Sequence, residues 1–302
     1  MVNNEHGRSN INKNYVYEDL KKLNLTSDKT CKLFHKGTRE NPDINVYQDN
    51  FSKVIFIKDH YVGDKQYKKG SHWSYTPNLK NLEWKKSTDC NRRVNSLREF
   101  YLDREIADIG CGRGDFLIAI NGFTKRSVGI ELQQSFIDEL SSKEIECIKD
   151  INQLEDKSLD TIFLFHSFEH FPDPLEKLKL LKRKLKFKGK IIIEVPTAND
   201  FLIKILKIPE FISFTLIDQH LILHTNDSLS RFLSFSGFKN IIIKGVQRHP
   251  LSNHLFWLKE KKPGGHTTDL HFIETPELNY EYEKALSRAG LSDTIIAIAS
   301  NE

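Results

Sequence analysis

Cysteine is scarce in this chain of 302 residues, and the four present, Cys31, Cys90, Cys111 and Cys147, are widely scattered. No CxxC pair occurs, which excludes a zinc knuckle, argues against a disulfide framework and points to a reducing compartment. An excess of one charge is also lacking: 45 Lys and Arg face 41 Asp and Glu, a net charge of +4. A protein that lives on phosphates carries a concentrated basic stripe, so no nucleic-acid partner is expected. No stretch approaches the ~18 consecutive apolar residues of a membrane-spanning helix. The opening MVNNEHGRSNINKNY has no apolar core of a signal peptide, so the expected location is cytoplasmic. Glycine is sparse too, at 15 residues, yet Gly110, Gly112 and Gly114 fall within five positions.

The length suits one large domain or two moderate ones. Residues 1–30, rich in Asn, Lys and charge, read as a loosely ordered leader. Residues 31–102 read as a small amino-terminal appendage. Within it, INVYQDN and KVIFIKD are two short strands around a turn at Asp49–Ser52. An aromatic, Lys-rich stretch follows (Tyr61, Tyr67, Trp73, Tyr75, Trp84), and then CNRRVNSLREFY, which has helical spacing.

From residue 103 to 302 short apolar strands alternate with amphipathic helices. REIADIG, RSVGIEL, IECIKD, LDTIFLFH and KIIIEVP are the strands. DPLEKLKLLKRKLK is a helix with Asp173 as N-cap and Pro174 at its first position. This rhythm predicts an α/β fold, a doubly wound parallel sheet covered on both faces. The basic run Lys177–Lys188 reads as the solvated face of that helix. NDFLIKILKIPEFISFTLI, interrupted by charges and Pro209, is either a lid or a packing helix. TNDSLSRFLSFSGF is a capped helix, NIIIKGV a further strand, residues 248–290 an insertion, and DTIIAIAS the closing strand.

The glycines stand where the first strand meets its helix, and in such sheets ligands bind at the carboxyl ends of the strands. Absence of a Cβ lets backbone approach a ligand closely. Glu131 ends the second strand 21 residues after Gly110, the interval at which an acid can hold the two hydroxyls of a ribose. Asp150 closes the third strand, where a side chain would sit beside an adenine ring. A nicotinamide fingerprint needs glycine where Asp115 stands, and no Gly-Lys-Ser or Gly-Lys-Thr of a P-loop follows the turn.

ADIGCGRGDF, VGIELQ, IKDI, LDTIFLFHSFEHFPDP and KFKGKIIIEVP resemble the successive motifs of class I S-adenosylmethionine-dependent methyltransferases. The resemblance covers about residues 103–245 and is nearest to the small-molecule branch with Glu-His after strand four. It implies a Rossmann-like seven-stranded sheet with insertions after strand five and before the last strand. S-adenosylmethionine is the implied cofactor. Asp108, Gly110 and Gly112 would hold its methionine end and Glu131 its ribose. Asp150 would lie at its adenine edge and His166 near its methyl group, with Leu132 and Ile151 as further cofactor contacts. The turn Phe187-Lys188-Gly189-Lys190 departs from the family's usual Pro-Gly-Gly there. CNRRVNSL resembles the leaders of bacterial methyltransferases of surface-polysaccharide assembly. The implied substrate is a polar small molecule, a sugar or nucleotide sugar methylated on oxygen.

Histidine is the natural base near neutral pH, which makes His166 and His220 the candidate catalytic residues; the bland reading of each is a hydrogen-bonded packing histidine. His220 and His224 stand four apart in LIDQHLILHT, but the stretch is half extended and offers no third ligand, so no metal is expected. His224, His249, Asn253, His254 and Trp257 are candidate substrate contacts; RHPLSNHLFWLKEKKPGGH reads equally as a surface loop tied to the core. The alternatives are an RNA or protein methyltransferase and a non-catalytic module that keeps the fold. FHSFEH lacks the polar-Pro-Pro-aromatic motif of the amino-modifying enzymes, and the intact cofactor acids speak against the module.

Overall fold

The computed structural model describes residues 13–64 and 79–302. Seven strands form one sheet: β4 (Glu105–Ile109), β5 (Arg126–Ile130), β6 (Glu146–Ile148), β7 (Leu159–Phe165), β8 (Leu185–Pro196), β10 (Lys239–Val246) and β11 (Thr294–Ser300), in the order β10-β11-β8-β7-β4-β5-β6. Strands β4 to β8 pair in parallel, and β11 runs antiparallel to both β8 and β10. The chain winds outward from β4 through β5 and β6, then returns to build β7 and β8 on the other side. That reversal leaves a crevice outside the carboxyl ends of β4 and β7.

The central strands are mostly apolar because both faces are covered, and successive residues serve opposite faces. Ala107, Leu164 and Ile193 join Leu175, Leu178 and Leu181 of the helix Pro174–Lys184 in one core. Their neighbours Ile106, Phe163 and Ile192 join Phe116, Leu117 and Leu140 in the other. The basic run is solvated only in part. Helix Pro174–Lys184 ends earlier than its composition suggests, and Lys184 is buried, donating to the Leu154 carbonyl and pairing with Asp156. A buried ammonium persists only with such partners.

A second, antiparallel sheet has the order β1 (Cys31–His35), β2 (Val46–Asp49), β3 (Ile55–Ile57), β9 (Ile222–Leu223). The expected hairpin is there: Asp49 accepts from the backbone N–H groups of Phe51 and Ser52 and shapes the turn. Its last strand comes from the far side of the chain, which welds the amino-terminal sheet to the main domain. Residues 13–30 correct the reading of a loose leader. Helix Val16–Lys22 buries Val16 and Leu20 in the main core, because two apolar residues four apart share a face. Residues 1–12, with Tyr67, Trp73, Tyr75 and the side chain of Trp84, lie outside the described residues.

The stretch after β8 forms two short helices, Phe201–Lys204 and Pro209–Thr215. Leu202 and Ile208 are buried against Trp257 of helix Leu251–Glu260, so this segment is packed in place. Among the described residues no helix is long and apolar enough to cross a membrane.

Candidate active site

All three glycines of the loop after β4 have positive φ: 72° at Gly110, 55° at Gly112 and 70° at Gly114. That conformation is costly for residues with a Cβ, which accounts for the clustering. A Cβ on Gly110 would lie 2.8 Å from that of Ser167, so the loop abuts the turn after β7. A Cβ on Gly112 would meet nothing within 4 Å; the loop faces open space there.

Asp108 lies at the base of this loop, 3% exposed, and its Oδ1 is buried without a hydrogen-bond partner. Burial pushes its carboxyl up to about 7, Arg93 opposing and Glu131 adding to the shift. Glu131 accepts three backbone N–H groups: Gly112 on Oε2 at 2.9 Å, and Leu132 and Gln133 on Oε1 at 2.7 and 2.9 Å. It thus locks the glycine loop to the end of β5. Asp150 is exposed and caps the turn Ile151–Gln153 by accepting from the Asn152 N–H. Ile151 is buried in the main core and offers little side-chain surface. An orphaned carboxylate oxygen under an open glycine loop, with a second carboxylate one strand away, fits a cationic, hydroxyl-bearing ligand such as S-adenosylmethionine.

Beyond β7 lies a dense polar cluster. His166 has a φ of 52° and is half-buried. Its Nδ1 is 3.4 Å from Glu169 Oε1 and its Nε2 3.3 Å from Glu194 Oε1. Such a backbone conformation at a non-glycine residue is a recurrent mark of functional sites. Glu194, wholly buried on β8, accepts from Arg92 on both oxygens at 2.9 Å and from Arg93 at 2.6 Å. Burial alone would raise its carboxyl; the two guanidiniums and His166 overcome that and hold it well below the usual range. Arg248 closes the cluster by pairing with Asp89. The charged side chains here are neutralised by one another.

Sequence reasoning overlooked Asp89, Arg92, Arg93 and Glu194. The signal was present in KIIIEVP: a lone carboxylate in a strand buried on both faces demands a cationic partner.

Glu169 and His170 follow on the turn Phe168–His170. His220 sits across from them, its ring 5.2 Å from that of His170. Burial, with the nearby His170, lowers His220 to about 3, which keeps it neutral and makes it a weak proton acceptor. His224 does not share this face: it is fully buried, stacked on Phe168 and bonded through Nδ1 to Ser228. The two histidines flank the two-residue strand β9, His220 following the turn before it and His224 bridging to Thr197 past its end, so no regular element sets them on one face.

The remaining proposed substrate contacts are structural, which corrects the reading of a ligand-facing insertion. Asn253 is buried and accepts from the Gly264 N–H. His254 is buried against Tyr282, 2.6 Å from its hydroxyl. Trp257 is 2% exposed among Phe211 and Phe214. His249 pairs with Asp293 at 2.9 Å. Helix spacing turned Asn253, His254 and Trp257 inward.

A family profile described as a methyltransferase domain matches residues 84–242. Over 153 residues the chain is 28% identical to a protein of Aliarcobacter butzleri named tRNA U34 carboxymethyltransferase, covering 44% of this chain and 50% of that one. A Helicobacter pylori protein of the same name is 28% identical over 105 residues, 30% of this chain and 40% of the relative. The chain thus spans half or less of these curated relatives. Among solved structures it is similar to a SAM dependent methyltransferase from Archaeoglobus fulgidus, at 21% identity and a TM-score of 0.50, covering 71% of this chain and 94% of that one. A possible histamine N-methyltransferase from Thermotoga maritima shares 14% identity at a TM-score of 0.51, covering 74% and 94%. The profile spans more than half of the chain, and the fold is the one found in these structures. The chain belongs to the methyltransferase domain family, in the fold these solved structures share.

Proposed function

We propose that the chain methylates an oxygen of a polar acceptor, a hydroxyl of a sugar or glycan precursor. The observation that carries this reading is His166, which stands between Glu169 at 3.4 Å and Glu194 at 3.3 Å on the turn that abuts the glycine loop. S-adenosylmethionine supplies an electrophilic methyl carbon on a sulfonium. Asp108 would hold its ammonium end beside the backbone at Gly110 and Gly112, Glu131 would take the ribose, and Leu132 and Asp150 would lie at the adenine. His166 accepts the proton that the acceptor oxygen gives up, and the two carboxylates stabilise the resulting imidazolium. The fixed cluster around Glu194 aligns that imidazole without reorganisation.

One observation favours a second reading. Both curated relatives carry the name of a tRNA-modifying enzyme, which makes RNA the rival acceptor. Against it stand a net charge of only +4 and the pairing of Arg92, Arg93 and Arg248 with carboxylates. Incubation with S-adenosylmethionine labelled in the methyl group, against nucleotide sugars and against bulk tRNA, separates the two. Label in sugar products supports the first reading, and label confined to tRNA replaces it with the second.

A further inference from the structure

The mechanism above uses one oxygen of Glu169 beside His166 and gives His170 and His220 no task. Glu169, His170 and His220 each offer one ligand atom, and the three atoms lie within 4.8 Å of one another. Ligands that share one ion, at ~2.0–2.2 Å from it, stand ~3 Å apart, so side-chain adjustments of about an ångström close the site. Glu169 is wholly buried, and neither of its carboxylate oxygens has a hydrogen bond. Its nearest basic neighbours are His166 Nδ1 at 3.4 Å and His170 Nε2 at 4.0 Å. A buried carboxylate in that condition calls for a cation.

The two histidines are prepared in the manner of metal ligands. His170 Nδ1 lies 2.8 Å from the Gln219 carbonyl. That contact fixes the tautomer with its proton on Nδ1 and leaves the Nε2 lone pair directed at Glu169. The Nδ1 of His220 has no hydrogen-bond partner. A backbone bond from the Leu221 N–H to the Glu169 carbonyl, at 3.0 Å, ties the two segments together. The site is therefore held from both sides before any ligand arrives.

From this geometry we infer that Glu169, His170 and His220 bind one first-row divalent cation beside His166. Two imidazoles and one carboxylate suit Zn2+, Co2+ or Fe2+; Mg2+ and Ca2+ prefer oxygen. Three protein ligands leave positions open for water or for an oxygen of the acceptor. The site concerns the chain's own residues and holds whichever acceptor is correct.

The test uses the full chain, stripped with a chelator and titrated with Co2+ while the visible ligand-field absorption is followed. One Co2+ per chain is expected, displaced by Zn2+ and not by Mg2+. E169Q, H170N and H220A should each weaken binding by more than the ~10–100-fold typical of losing an outer partner. The solvent-exposed H271A should leave it unchanged. E169Q preserves volume, and H170N keeps a hydrogen-bonding group where the imidazole stood, so they carry the test if H220A fails to fold. Absence of stoichiometric Co2+ binding, or equal binding by H170N and the parent, overturns the inference. Calorimetry with S-adenosylmethionine on the same samples reports the cofactor site separately, so a failed metal site and a failed methyltransferase reading remain distinguishable.

Discussion

Replacing Asp108 with Asn tests the floor of the cofactor crevice. In the free protein burial moves this carboxyl from 3.8 to about 7. The native state therefore binds a proton that the unfolded chain releases between those pH values. Stability that is fully present below pH ~4 is lost as pH rises toward 7. At ~1.4 kcal/mol per tenfold, the loss amounts to ~4 kcal/mol. The amide of D108N does not titrate, so whatever constant penalty it brings, its stability lacks this decline. Urea unfolding of both proteins from pH 5 to 9 should show the difference between them shifting in favour of D108N as pH increases. Arg93 and Glu131, the charged groups that face Asp108, are unchanged in the variant. Parallel pH profiles would refute the argument. The same group governs binding: an ammonium that pairs with ionised Asp108 must displace its proton. Near pH 6, calorimetry in buffers of different ionisation enthalpy should detect release of about one proton. D108N should release none and lose ~1.5–3 kcal/mol of affinity, the worth of a hydrogen bond to a charged group.

E194Q should destabilise the fold by ~3–5 kcal/mol in chemical denaturation, because two half-buried guanidiniums lose the buried counter-charge they share; a loss below 1 kcal/mol, on the order of an exposed pair, would contradict that. G112A should unfold only ~1–2 kcal/mol more easily, the strain of a Cβ in the left-handed region. It should bind S-adenosylmethionine far more weakly, since its methyl enters the open space over the loop, and undiminished affinity would show that the cofactor does not lie there. H166Q should lower turnover ~10²-fold or more while cofactor affinity stays unchanged; unaltered turnover removes His166 from the chemistry.

The sequence by itself determined what depends on neighbours within a turn or two. The alternating strands and helices, the positive-φ glycine loop and the capping of helix Asn226–Phe235 by Thr225 were all legible, because each rests on contacts only a few residues apart. The carboxylates Asp108 and Glu131 could be placed because strand ends fix their side chains in one crevice. Tertiary structure alone decided which ionisable groups meet. Arg92 reaches Glu194 across 102 positions, and His170 reaches the Gln219 carbonyl across 49. His220 and His224, four apart and alike in sequence, lie on either side of the two-residue strand β9, one near Glu169 and the other in the core. Spacing along a chain pairs side chains only when the local backbone is known; burial energy and strand order decide the rest.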